Sequence, residues 1–147
     1  MRLWAGLALM LAASPVLAAE PDGARLYARC AACHLPTGAG VPGTYPPLGA
    51  DVRARAARPD GRRFLALAVI KGLMGPLVVD GKTYRGVMPA QVLDDGDVAA
   101  VLNHVGGQIV KNGPAFSPFT AAEVAAHRAS GTGLNGLAVA RLADTAK

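Results

Sequence analysis

Five consecutive residues, Cys30-Ala31-Ala32-Cys33-His34, constrain this chain most, because they hold both of its cysteines and the first of its three histidines. C-x-x-C-H is the spacing at which a haem is attached covalently to a polypeptide. Two thiols two residues apart on one turn can each add to a vinyl group of the same porphyrin, and the histidine that follows is then held beneath the iron. A chain built on such a segment must wrap a large, flat, apolar group. A bare C-x-x-C also has two plainer readings. As half of a zinc site it needs a second ligand pair, and after His34 only the isolated His104 and His127 are on offer. As a redox-active disulfide it belongs in a βαβ unit, yet no β-branched parallel-strand pattern surrounds Cys30.

The amino terminus points to export. Arg2 precedes an apolar run over residues 3–13, Ser14-Pro15 breaks it, and Val16-Leu17-Ala18 supplies small residues for cleavage. The run is too short to span a bilayer, and no cysteine stands near the cleavage site to take a lipid. Residues 1–18 are therefore expected to be a signal peptide, leaving no membrane span after cleavage and, in a bacterium, placing the protein in the periplasm. The formal net charge of +5 falls by one with the loss of Arg2, and haem propionates lower it further. A weakly basic holoprotein suits acidic partner surfaces. Nucleic acid is a poor partner for an exported chain whose basic residues are not interleaved with aromatics. Aromatic residues make up 5 % of the chain, so a porphyrin would supply much of the core's large apolar surface.

Residues 19–147 have the length of one domain. Asp22 can cap a helix starting near Gly23, with Leu26 and Cys30 four apart on one face. Residues 35–47 are rich in Gly and Pro and read as an irregular loop. Asp60 is positioned to cap a second helix over residues 61–71, ended by Gly72 and burying Phe64, Leu67 and Ala68. Leu77-Val78-Val79 and Lys82-Thr83-Tyr84, joined by Asp80-Gly81, predict a small hairpin near residues 77–84. Asp94 or Asp95 opens a third helix carrying Val98, Val101, Leu102 and Val105 inward, and Gly106-Gly107 stops or kinks it. Thr120 caps a fourth, short helix to about residue 129. The expectation is an all-α fold: a domain over residues 19–110 with three core helices around one covalently bound haem and the small hairpin, a helical extension at 111–130, and a flexible tail at 131–147.

The order of helix, C-x-x-C-H, Gly/Pro loop, helix, Met-Pro and terminal helix resembles the class I cytochrome c family, over about residues 22–108. The resemblance implies a cytochrome c fold with one haem c held through Cys30 and Cys33 and His34 as proximal ligand. Pro46-Pro47-Leu48 looks like the family segment whose proline carbonyl accepts a hydrogen bond from the proximal histidine, with Pro46 as the acceptor and Leu48 on the haem. Such a bond orients the ring and raises its basicity. Tyr84-Arg85-Gly86-Val87-Met88-Pro89 resembles the methionine-ligand loop, which makes Met88 the sixth ligand. Met74, the other methionine beyond the signal peptide, reads as filling for an apolar core. Tyr84 and Arg85 are close enough in sequence to Met88 to reach the propionates. His104 stands where relatives usually carry an aromatic packed on the first helix, and an imidazole filling that slot is preferred to an iron ligand. His127, four residues after Glu123, reads as a solvated pair.

A thioether opposite an imidazole leaves no open coordination position, so electron transfer follows and oxygen or peroxide chemistry does not. The expected function is a periplasmic carrier of single electrons between redox proteins (a dehydrogenase, reductase or oxidase), with no substrate chemistry of its own. The alternative is a haem c subunit of a periplasmic oxidoreductase complex of dehydrogenase or nitrite reductase type. The segment from Asn112-Gly113-Pro114 to Arg128 is similar to an extension on periplasmic cytochromes that serve such enzymes, although it can equally cover an apolar surface of the core. The protein is accordingly expected as a monomer or as one subunit of a heteromeric complex. Arg53, Arg55, Arg58, Arg62 and Arg63 form either a basic docking patch, a propionate partner or a solvated face.

Overall fold

The computed structural model describes residues 21–146, and the expected signal peptide lies outside them. Six α-helices and one two-stranded antiparallel sheet follow in the order α1 (Gly23–His34), α2 (Ala50–Ala56), α3 (Pro59–Lys71), β1 (Leu73–Val79), β2 (Lys82–Met88), α4 (Asp95–His104), α5 (Ala121–Ser130) and α6 (Gly136–Thr145). None of the described helices is long and apolar enough to cross a membrane.

The helix ends follow local chemistry. The Asp22 carboxylate accepts from the amides of Ala24 and Arg25, Asp94 from that of Asp97, and Thr120 from that of Glu123. α3 starts differently from expectation. Pro59 occupies its first turn, where a missing N–H costs nothing, so Asp60 lies inside the helix and pairs with Arg58 instead of capping. Gly72 ends α3 at φ 72°, and a Cβ there would meet the Pro89 carbonyl carbon at 3.0 Å. Beyond α4 the chain continues as a π turn, Val105–Ile109, closed by a 2.9 Å bond from the Val110 amide to the Val105 carbonyl.

α1 crosses α4, and α3, α4 and α5 pack around a core that includes Tyr27, Phe64, Leu67, Val98, Val101 and Leu102. At the crossing a Cβ on Gly23 would meet His104 Cβ at 2.9 Å, so the glycine lets two backbones approach. His104 lies beside Tyr27 with ring centroids 5.5 Å apart, filling the aromatic slot.

The hairpin is larger than expected, running over Leu73–Val79 and Lys82–Met88 rather than stopping at residues 77 and 84. Asp80 and Gly81 turn it with φ of 49° and 73°, the paired positive values that suit two twisted strands. The extra length comes from Met74-Gly75-Pro76 opposite Arg85-Gly86-Val87, glycines and a proline that read as loop when each strand is taken alone.

The tail also departs from expectation. Residues 136–145 form α6, capped by Asn135, with Val139, Ala140 and Ala143 buried against β1 and α3. Its apolar residues do share one face, but glycines crowd its start, and Gly131 and Gly133 precede the helix instead of interrupting it. α2, within the arginine run, is likewise unforeseen, since Gly49 caps it without a side-chain bond.

That run is not a solvated face as a whole. Arg62 donates to both Glu123 carboxylate oxygens (2.5 and 2.7 Å) and to the Ser117 and Pro118 carbonyls, with its guanidinium 3.8 Å over the Phe119 ring. Arg63 bonds Ser130, Arg53 bonds the Gly106 carbonyl, and only Arg58 is left at the surface with Asp60. These arginines fasten the residues after α4 to α2 and α3. His127 sits 3.4 Å from Glu123, but with its side chain only 18 % exposed the pair is half-buried rather than solvated.

Candidate functional site

A cavity of about 230 Å³ opens between α1, the loop after it, α3, α4 and the hairpin. Its lining is mostly apolar, and it collects Cys30, Cys33, His34, Pro46, Leu48, Tyr84 and Met88 from segments far apart in the chain.

α1 delivers the first three. Cys30 and Cys33 are free, half-buried thiols one turn apart near its end, and His34 is its last residue. Leu35 leaves the helix at φ 63°, with its amide on the Ala31 carbonyl, and the Tyr27 hydroxyl donates to the Leu35 carbonyl at 2.8 Å. These bonds fix the exit of the motif. The loop then returns so that the Pro46 carbonyl accepts from His34 Nδ1 at 2.9 Å. A carbonyl can only accept, so Nδ1 carries the proton, and Nε2 of the neutral ring keeps a free lone pair. Burial holds the His34 pKa below its ordinary 6.5, although the bond to Pro46 works the other way. The ring is thus poised as a neutral nitrogen ligand. Burial pushes the Cys30 thiol upward, with Arg29 opposing and Cys33 reinforcing the shift, so it is kept as a thiol.

The hairpin delivers the rest through strand alternation. Leu73 pairs with Met88, Gly75 with Gly86 and Leu77 with Tyr84, and these six residues line the cavity. The intervening pairs, Met74 with Val87, Pro76 with Arg85 and Val78 with Thr83, are exposed, and of these six only Val87 also borders the cavity. Two expectations change as a result. Met74 is 51 % exposed and fills no core, because it lies one residue out of phase with the inward set. Arg85 points away from the cavity for the same reason and is not part of its lining, whereas Tyr84 is buried in it.

The zinc alternative finds no second ligand pair: His104 is beside Tyr27, His127 beside Glu123, and among the described residues no three His, Cys, Asp or Glu side chains are placed to share a metal ion. The donors that do converge suit a haem: two thiols at vinyl-addition spacing, an imidazole with a free Nε2, a thioether and an apolar lining.

Arg55 also lines the cavity, and sequence reasoning did not single it out from the arginine run. It is 3 % exposed, with Nε 2.7 Å from Asp51 Oδ2. The signal was the Asp51-x-x-x-Arg55 spacing, which places opposite charges on one helix face.

Residues 21–108 match the family model described as cytochrome c. A protein named cytochrome c-552 from a strain of Thermus thermophilus is 44 % identical over 114 residues, covering 76 % of this chain and 77 % of the relative. A second cytochrome c-552 from Thermus thermophilus is 43 % identical over 113 residues, covering 75 % of this chain and 86 % of the relative.

Proposed function

The chain belongs to the cytochrome c family, whose members carry covalently bound haem c and transfer electrons, and from that premise we propose a periplasmic carrier of single electrons with one haem. Cys30 and Cys33 would hold the group by thioethers, His34 and Met88 would be its iron ligands, and Leu48 and Tyr84 would pack on it. The observation that carries this reading is the convergence of the His34 Nε2 lone pair and the Met88 thioether on one apolar cavity that also holds both thiols. When bound, the haem supplies a one-electron iron couple.

The protein's own residues do the remaining work. The Pro46 carbonyl holds the His34 ring in one tautomer and one orientation, so the ligand does not reorganise when the charge at the site changes. The inward residues Leu73 and Leu77 and the buried Tyr84 make the hairpin's wall of the cavity apolar beside Met88. Two protein ligands leave no position for a substrate, so the chain acts as carrier and does no substrate chemistry itself. Placement in the periplasm rests on the basic, apolar and small-residue pattern of residues 2–18. α5 covers its own core, with Val124 fully buried, which favours a free carrier over a chain whose extension is spent on a partner.

The visible and near-infrared spectrum of the ferric protein tests the assignment. A sulfur-to-iron charge-transfer band is expected, and it should vanish in Met88→Ala. Its absence from the parent overturns Met88 as ligand, and co-purification with a larger redox subunit overturns the free carrier.

A further inference from the structure

We propose that the carboxy-terminal helix acts on the haem site through Arg55: the last turn of α6 positions the guanidinium at the cavity edge, where its charge raises the reduction potential. This rests on the haem reading above.

Arg55 Nη1 donates to the carbonyls of Ala143 at 3.1 Å and Ala146 at 3.2 Å, while Nε is held by Asp51 and the guanidinium lies 4.8 Å from the Phe64 ring centroid. The last carbonyls of a helix have no partner within it and carry the negative end of its dipole, so they make a seat for a cation. The seat is structural on one side and functional on the other: Ala143 and Ala146 are buried in α6 and its cap, and Arg55 lines the cavity that holds Cys30, Cys33 and His34. Two other charged side chains line that cavity. Arg29 is exposed and screened by water, and Asp51, 29 % exposed, offsets only part of the charge of the buried Arg55 it pairs with. Oxidation adds one positive charge at the iron, and a fixed, poorly screened cation in the lining disfavours it. Neither α6 nor Asp51 alone sets this position. Without the α6 carbonyls the Nη1 end loses its seat and the guanidinium is held by Asp51 alone.

The test is the midpoint potential of the full-length holoprotein. Arg55→Gln is expected to lower it by about 59 mV, a tenfold shift in the ratio of oxidised to reduced protein. Arg55→Lys, which keeps the charge, should recover most of the shift. Ala140→Gly with Ala143→Gly softens the last turns of α6 and should lower the midpoint by a smaller amount in the parent, and by nothing further in Arg55→Gln. An unchanged midpoint in Arg55→Gln overturns the proposal, as does a helix effect of equal size with and without Arg55. If Arg55→Gln yields no folded holoprotein, the glycine pair decides alone, and an unchanged midpoint overturns the coupling. The sulfur-to-iron band reports Met88 independently. Its absence from the parent sinks the axial assignment, while a midpoint indifferent to Arg55 in a parent that shows the band sinks only this proposal.

Discussion

His34 reaches the cavity from the end of an α-helix and Met88 from the end of a β-strand, and the two are held by different means. Around His34 the backbone is tied by the Leu35 amide, by the Tyr27 hydroxyl and by the Gly40 amide on the His34 carbonyl, and the ring itself by the Pro46 carbonyl. Met88 is held instead by strand pairing with Leu73. It is half-buried and owes its direction to its phase in a hairpin whose register is set at Asp80-Gly81, seven residues away and on the surface. One side is fixed by contacts, the other by counting.

That difference predicts unequal damage. The largest effect is expected from Cys33→Ser or His34→Ala, which should abolish stable holoprotein, read as loss of covalent haem after denaturing electrophoresis. Retention of haem by His34→Ala would show that the α1 side is less decisive than its bonding suggests. Met88→Ala should keep the haem attached, remove the sulfur-to-iron band, lower the midpoint potential and cost about 2 kcal/mol in denaturant unfolding, the low end for methionine truncation because the side chain is only half-buried. Gly81→Ala tests the counting directly. Its φ of 73° penalises any side chain while a Cβ would touch nothing, so the cost is conformational, about 1 kcal/mol. The loss should appear as faster amide exchange across the hairpin with the His34 side unchanged.

An effect as small as that of Gly81→Ala is expected from Tyr27→Phe, which removes one bond to the Leu35 carbonyl and should cost roughly 1 kcal/mol. Burial, aided by Cys30, pushes the Tyr27 pKa from 10.0 to about 12. Because the unfolded chain releases this proton first, the tyrosine's contribution is complete below pH 10 and declines as pH rises from 10 to 12. Tyr27→Phe should lose that part of the alkaline fall in stability. An identical pH profile in both proteins would remove Tyr27 from the account.

The two sides also differed in how well the sequence disclosed them. Asp22, the C-x-x-C-H spacing and Gly72 are local signals, each acting within a few residues, and they locate α1 and the end of α3 without reference to the rest of the chain. Asp80-Gly81 located the hairpin, but its length depended on cross-strand pairing, which no single strand displays. Tyr84 and Arg85 show the consequence: adjacent in sequence, they lie on different faces of β2, so one lines the cavity and the other does not. Arg55 was hidden more deeply. Its partners include Ala146, 91 positions along the chain, and that proximity exists only after folding. α6 was missed because Gly131, Gly133 and Gly136 crowd its start and read as a break, although its apolar residues do recur at helical spacing.

Strand alternation has a consequence for how this arm can vary in length. A single residue inserted or deleted within β2 would turn Met88 outward and bring a neighbour to face the cavity, whereas a change of two would restore its direction. Variants of the hairpin are therefore expected to change in steps of two, so that single-residue indels eliminate the thioether ligand outright and paired ones merely move the surface turn.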